Sequence, residues 1–519
     1  MLRLFRTLIC TILALPVPLY AQASVDATSF RAAAERYRAS HEADILGEFV
    51  DLLAIPNLAS DRVNIRRNAE RLVESLEKRG VAAHLLELEG VPPVVFGELR
   101  SPGTTRTVVL YAHYDGQPVD PSQWATPPWS PTFRNKPLDE GGAIIPIPAG
   151  SARISGESRL FARSAGDDKA TIIAMLAALD AMRAAGLHSS VNLKFFFEGE
   201  EEAGSPHLRR MLERYRDVLG ADAWLFCDGP NHQTGQQQIL LGVRGITGME
   251  LTVYGPTRPL HSGHYGNWAP NPGSMIANLI ASMRDDDGRI RIAGFYRDVR
   301  PISASERRAV SAIPPVDVEL RRSVGLAATE AKDAPLTERI MLPALNVRGI
   351  QVGAIGEQAA NVISSEARAS FDFRLVPDQT PEHVRDLVNA HIRAKGYFVT
   401  EDSVTMAMRL AHSKIARVRW GSGAYPASRA PMDLPFARAV LRAVGDGLGR
   451  PPLLLPTMGG SIPAYLFGQV LHTPVIILPI ANYDDNQHAA NENLRIQNLW
   501  DGIDVYAGIM GRLGSYWTH

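Results

Sequence analysis

Five places in the sequence gather side chains that exchange protons or bind metals. An apolar run, residues 108–112, leads into His113, Tyr114 and Asp115, so an imidazole and a carboxylate share one face if the strand continues. Asp167 and Asp168 stand side by side before Lys169 at the start of a helical pattern. A second apolar run, 191–197, empties into Glu198, Glu200, Glu201 and Glu202, carboxylates that repel one another unless a proton or cation neutralises them. Residues 223–227 end in Asp228, and the strand ending at Ile480 is followed by Asp484, Asp485 and His488. Each has a plain alternative: a hydrogen-bonded strand-end histidine, dipole-favourable charges at a helix N-terminus, or a solvated acidic turn. Together they deliver His, Asp, Glu, Asp and His, a nitrogen and oxygen set suited to zinc and its near relatives. Two metals sharing one carboxylate would explain the set, and hydrolysis there needs one further carboxylate as general base.

Such residues must be held by a frame. Helical spacing predicts helices over 30–53 and 66–78, before Pro56 and Gly80 respectively. Strands follow at 94–99 and 107–112, then a Pro- and Gly-rich segment, 117–159, long enough to be a functional loop or insertion. A helix at 170–185, a strand at 191–197, a helix at 207–219 opened by Ser205 and Pro206, and a strand at 223–227 alternate as in a parallel sheet covered on both faces. Open α/β sheets place ligands at the C-terminal ends of their strands, where the polar residues gather. From about Gly245 the texture changes: alternation at 246–254, a helix at 271–283, paired antiparallel strands at 362–375, a helix opened by Thr380 and Pro381, and alternation at 398–406. A helix at 435–448 and an apolar strand at 475–480 then return to the first pattern. The expected plan is one α/β domain in two pieces interrupted by a smaller α+β domain, with bounds 24–242, 243–412 and 413–519.

Composition excludes other classes. With 54 Lys and Arg against 55 Asp and Glu, net charge −1, nothing points to nucleic acid or an anionic membrane. Arg3 and Arg6 precede an apolar run at 8–19 and the triplet Ala21, Gln22, Ala23, the pattern of a cleavable export signal over residues 1–23. The run is shorter than the about 20 residues of a spanning helix, and a retained anchor is the alternative. Cleavage removes Cys10 and leaves Cys227 as the one thiol, so no disulfide framework is expected.

At these residues the chain resembles the dinuclear zinc hydrolases that include carnosinase-like dipeptidases, glutamate carboxypeptidases, aminoacylases, acetylornithine deacetylase and succinyl-diaminopimelate desuccinylase. Residues 112–115 are similar to that family's strand-end HxD, 166–169 to its DDK, 200–205 to its EEEAGS turn and 260–263 to its HSG; 458–463 (MGGSIP) and 373–377 (FRLVP) resemble the carnosinase-like branch. The resemblance implies a split α/β catalytic domain with a mostly parallel sheet and an inserted ferredoxin-like lid that dimerises the protein. It implies two Zn2+ per subunit, with Mn2+ or Co2+ as substitutes: His113 and Asp228 on one ion, Glu202 and His488 on the other, Asp167 bridging. Glu201 would be the general base, Asp115 would orient His113, and a cis peptide would join Asp167 to Asp168. His261 would reach the oxyanion, in many members that of the partner subunit, and Asn361, Arg374, Gly460 and Ser461 would hold the substrate's carboxylate or scissile carbonyl. The implied enzyme is an exported peptidase acting on dipeptides or small peptides, with N-acyl amino-acid deacylation as the alternative and a catalytically silent binding protein as the rival from another class. Two departures stand out: Ser164 and Ala170 occupy positions where the family commonly has glycine.

Overall fold

The computed structural model describes residues 23–332 and 334–517. The predicted export signal lies outside the described residues except for Ala23, which opens the first helix, Ala23–Leu53. Among the described residues no helix is long and apolar enough to cross a membrane.

The larger sheet has eight strands, in the order Ala82–Leu86, Val94–Leu99, Asn192–Glu198, Thr107–His113, Ala223–Phe226, Val475–Ile477, Gln238–Leu240 and Leu453–Leu455. The three strands that carry site residues, Asn192–Glu198, Thr107–His113 and Ala223–Phe226, run parallel to one another, and Val475–Ile477 extends the parallel set. The edge pairs beginning at Ala82 and Val94 are antiparallel. Thr107–His113 is buried along almost its whole length, as a strand covered on both faces must be. One face packs on the helices Ala23–Leu53, Lys169–Ala184, Pro435–Leu448 and Ile496–Tyr516, through Leu110, Phe195, Phe197 and Leu225. The last two helices meet backbone to backbone: a Cβ on Gly508 would lie 2.4 Å from the Ala443 carbonyl oxygen, so only glycine fits. The other face buries Tyr111, Phe196, Trp224, Phe226 and Phe467. Truncating a residue such as Leu110, fully buried at the centre, would cost about 2–5 kcal/mol.

The second sheet has five strands, ordered Ala344–Gln351, Glu366–Leu375, Gly245–Tyr254, Ile415–Trp420 and Phe398–Thr400. Gly245–Tyr254 alternates buried and part-exposed positions, and its buried residues pack with Phe371 and Phe373 beneath the helices Pro272–Met283 and Pro381–Ala394. Both helices begin as their sequences dictate, with a proline in the first turn and the side chains of Asn271 and Thr380 accepting from backbone N–H groups.

Several expectations are corrected. The paired strands expected at 362–375 are a short strand, Val362–Ile363, and one long strand, Glu366–Leu375, whose neighbours are remote in sequence. The alternation at 398–406 yields only Phe398–Thr400 before the helix Met406–Ala411. Ile415–Trp420, beyond the expected bound at 412, pairs with Gly245–Tyr254 in the second sheet. Ser205 has φ 48 and does not cap: the helix there begins after His207 and is broken at Tyr215. The segment 117–159, expected to be a functional loop or insertion, carries the strand Thr132–Arg134, which pairs with Arg159–Phe161, which in turn pairs with Asn493–Arg495.

Candidate active site

Parallel register brings the chemistry together. His113 lies opposite Glu198 in the paired strands, so the HxD run and the acidic turn leave the sheet side by side. Asp115, fully buried, accepts from the backbone N–H of Glu201 and of Glu202, both at 3.1 Å, and lies 3.5 Å from His113 Nδ1. It therefore grips the acidic turn as well as facing the histidine. His113 Nε2 is 2.7 Å from Asp167 Oδ1 and 3.9 Å from Asp228 Oδ1. His488 Nε2 lies 3.3 Å from the other oxygen of Asp167 and 3.1 Å from Glu202 Oε2. Two ligand groups result, His113 with Asp167 and Asp228, and Asp167 with Glu202 and His488, each with its atoms within 4.8 Å of one another. Asp167 belongs to both, one oxygen facing each, and the peptide joining it to Asp168 is cis.

The electrostatics fit divalent cations. Asp228 is buried, and among the described residues its Oδ1 has no hydrogen-bond partner. Burial and then the Asp167 charge push the Asp228 carboxyl up to about 7. Burial likewise lifts Glu201 well above the usual carboxylate range, against the pull of His113. Hydrogen bonds to Asp167 and Glu202 push His488 up to about 11. Four carboxylates against two imidazoles at this range need positive charge, and the donor set, carboxylate oxygens with imidazole nitrogens, is that of zinc.

Comparison with known proteins agrees with this geometry. The model of peptidase family M20/M25/M40 matches residues 109–512, from inside the strand that carries His113 to the last helix. The chain belongs to peptidase family M20/M25/M40. Among its relatives, the Cys-Gly metallodipeptidase of Schizosaccharomyces pombe is 27% identical over 86% of this chain and 88% of that protein. The human Beta-Ala-His dipeptidase is 28% identical over 80% of this chain and 76% of its own length. The crystal structure of an M20 family metallo-carboxypeptidase from Sulfolobus solfataricus superposes with TM-score 0.72 at 27% identity, covering 91% of this chain and 99% of that one. As an M20 enzyme the protein is a hydrolase of peptide amide bonds with a dinuclear metal site.

The residues that the M20 resemblance offered for substrate divide into two places. Arg374 donates from Nε to Asp372 (2.8 Å) and from Nη1 to Ser461 Oγ (2.9 Å), and the Gly460 carbonyl accepts from the Arg244 backbone N–H at 3.1 Å. Ser461 and Gly460 therefore fasten the 458–463 segment to the second sheet. His261 and Asn361 lie elsewhere, on the exposed ribbon that Leu260–His261 and Val362–Ile363 form. His261 Nδ1 accepts from Gly263 N–H, and among the described residues no hydrogen bond or ion pair joins it or Asn361 to the metal-binding side chains.

Sequence reasoning passed over several contributors. Gln117 donates to Glu202 Oε2 at 2.7 Å and Gln487 to Asp167 Oδ2 at 2.8 Å. The Tyr425 hydroxyl is pushed up by burial and by the Glu201 charge, against the pull of Arg374. Glutamines and a tyrosine carry no titratable pattern, so nothing in the local sequence marks them. Ser164 explains the departure from glycine: it adopts φ 64, and its hydroxyl accepts from Asn57 (2.8 Å) and donates to the Asp115 carbonyl (3.3 Å), bonds that offset the strain of a left-handed non-glycine.

Proposed function

We propose that the protein is an exported, dinuclear-zinc dipeptidase. The observation that carries this reading is that Asp167 is shared by two ligand groups while Glu201, held at its backbone N–H by Asp115, stands beside them without belonging to either. His113, Asp167 and Asp228 would hold one ion, and Asp167, Glu202 and His488 the other. Bound zinc supplies a polarised carbonyl and an acidified water. Glu201 takes a proton from the water as its oxygen attacks the amide carbon, then delivers that proton to the leaving nitrogen, so a free acid and a free amine result. Asp115 fixes Glu201 by holding the backbone N–H of the base itself. Arg374, braced by Asp372 and Ser461, presents the guanidinium that takes the dipeptide's terminal carboxylate, with Gly460 and Ser461 lining the approach.

His261 and Asn361 act on the active site of a partner subunit in this reading, because they lie on an exposed ribbon apart from their own metal-binding residues. The same domain exposes Trp268, Ile350, Ile355 and Val362, and its edge strand Ala344–Gln351 supports a homodimer through the inserted domain. Export to the periplasm or medium rests on residues 1–23, and the mature chain should begin at Ser24.

Zinc-loaded protein assayed against Cys-Gly, β-Ala-His, the same dipeptides amidated at the C-terminus, and N-acetyl amino acids tests the reading. Turnover of free dipeptides, abolished by a chelator and restored by zinc, is expected. Preference for N-acetyl amino acids would make the enzyme a deacylase instead.

A further inference from the structure

The two metal-binding loops come from opposite ends of the chain, Asp167 from one and His488 from the other. One buried side chain joins them. Glu492 is fully buried, four residues beyond His488, and its two oxygens accept four hydrogen bonds from the loop before Asp167: from the backbone N–H of Ser164 (2.9 Å), Gly166 (3.0 Å) and Asp167 itself (2.9 Å), and from Arg163 Nη1 (2.7 Å). Arg163 is itself 2% exposed, and its guanidinium lies over the Trp124 ring at 5.2 Å. Trp124 belongs to the 117–159 segment, whose next residue, Ala125, donates its N–H to Asn491 at 2.8 Å.

We propose that Trp124, Arg163 and Glu492 form a strut that positions the shared aspartate, so that both metal positions are set by a carboxylate that touches neither ion. The backbone N–H of Asp167 is held at 2.9 Å and its Oδ2 accepts from Gln487 on the same return loop. Removing Glu492 therefore frees Asp167 along its backbone while His113 and Asp228 keep their places at the ends of sheet strands and Glu202 stays held by Asp115. Since Asp167 belongs to both groups, the two affinities fall together. Loss of a ligand from one group, such as His488, acts on one ion. Arg163 supplies the positive charge that Glu492 needs in a dry site, and Trp124 covers that charge. The 117–159 segment thereby gains a structural role, because its tryptophan closes the strut from outside. The inference rests on the dinuclear reading but not on the dipeptidase reading, because its readout is metal binding.

The test uses the full chain, stripped with a chelator and titrated with Zn2+ by calorimetry and with Co2+ by visible absorption, metal being counted by mass spectrometry. Glu492→Gln should weaken both binding events in parallel by about 10–100-fold with far-ultraviolet dichroism retained. His488→Ala should lose one event and keep the other. Arg79→Ala, which breaks part-buried ion pairs with Glu48 and Asp180 elsewhere in the molecule, should leave both affinities unchanged. Glu492→Gln binding both ions as tightly as the parent, or losing only one, overturns the strut; so does Arg79→Ala weakening both equally, since general destabilisation would then account for the effect. If Glu492→Gln does not fold, Arg163→Lys and Trp124→Phe carry the test: parallel weakening by a smaller factor supports the strut, and two parental affinities overturn it. A parent chain that binds a single ion would instead remove the dinuclear reading beneath both proposals.

Discussion

The metal-binding strand ends and the His261 ribbon are opposite kinds of site. His113 and Asp228 are buried where strands of a doubly covered sheet end, Asp167 is buried just before the helix Lys169–Ala184, and the three meet within one chain. His261 and Asn361 sit on a two-residue ribbon in the open, bonded chiefly to their own neighbours. The contrast means that the reaction's charge is assembled by the fold itself, while the groups that would embrace the substrate wait for something to be brought to them. Rigidity suits the metal ligands, since misplaced ligands cost affinity, and exposure suits the ribbon.

The two regions separate most clearly at Glu201, which should belong wholly to the buried one. Glu201→Gln is expected to lower kcat by about 10²–10⁴-fold while two zinc ions per chain remain, as mass spectrometry of the desalted protein would show. Near-parental turnover would remove Glu201 from the mechanism. Next in size is His261→Ala. An oxyanion donor is worth about 10²–10³ in kcat, and metal content should not change. Mixing Glu201→Gln with His261→Ala protein and allowing subunits to exchange should restore activity that neither has alone, because a mixed dimer pairs one intact centre with one intact ribbon. No recovery on mixing would place His261 in its own chain's site.

Arg374 belongs to neither region: it lies on the second-sheet strand Glu366–Leu375 and donates to Ser461. Arg374→Lys keeps the charge but loses the planar fork, so KM for free dipeptides should rise by about 10–100-fold with kcat less affected. Amidated dipeptides should feel the change little. Equal losses on both substrates would mean that Arg374 works only as a brace for Ser461.

What could be read from residue order follows the same division. His113, Glu202 and Asp228 could be found because apolar runs that must be buried strands led into groups that resist burial; Asp167 was marked by adjacent carboxylates before a helical pattern, and His488 by the acidic stretch after the apolar strand at 475–480. Asp115 was legible as a partner of His113, but its grip on the Glu201 and Glu202 backbone was not, since a turn's N–H groups leave no mark in residue type. Glu492 stayed hidden for that reason: three of its four donors are backbone. The second sheet was read in outline from the alternation at 246–254, yet Ala344–Gln351 was missed because an exposed edge strand carries no apolar period. Ile415–Trp420 was assigned to the wrong side of the expected bound because six residues do not reveal their partner.

An effect on stability rather than on turnover tests whether raised carboxylates alone mark a metal site. Asp504, on the helix Ile496–Tyr516, is buried with Oδ1 unpartnered, and burial, against the pull of Arg38, pushes it up to about 7. It belongs to neither metal-binding group of the described residues, so it shows what burial does to a carboxylate without a ligand set. The unfolded chain releases this proton near pH 4, whereas the folded chain keeps it until about pH 7. Asp504 therefore favours the folded state fully below pH 4, and that contribution is lost as pH rises towards 7, by up to about 4 kcal/mol. Asp504→Asn has no proton to lose. The difference in denaturation free energy between variant and parent should shift in the variant's favour between pH 4 and 7 and level off above, with metal affinity unchanged. A difference that stays flat across that range would show that Asp504 ionises as an ordinary carboxylate, and burial could then no longer be counted as what lifts Asp228 and Glu201.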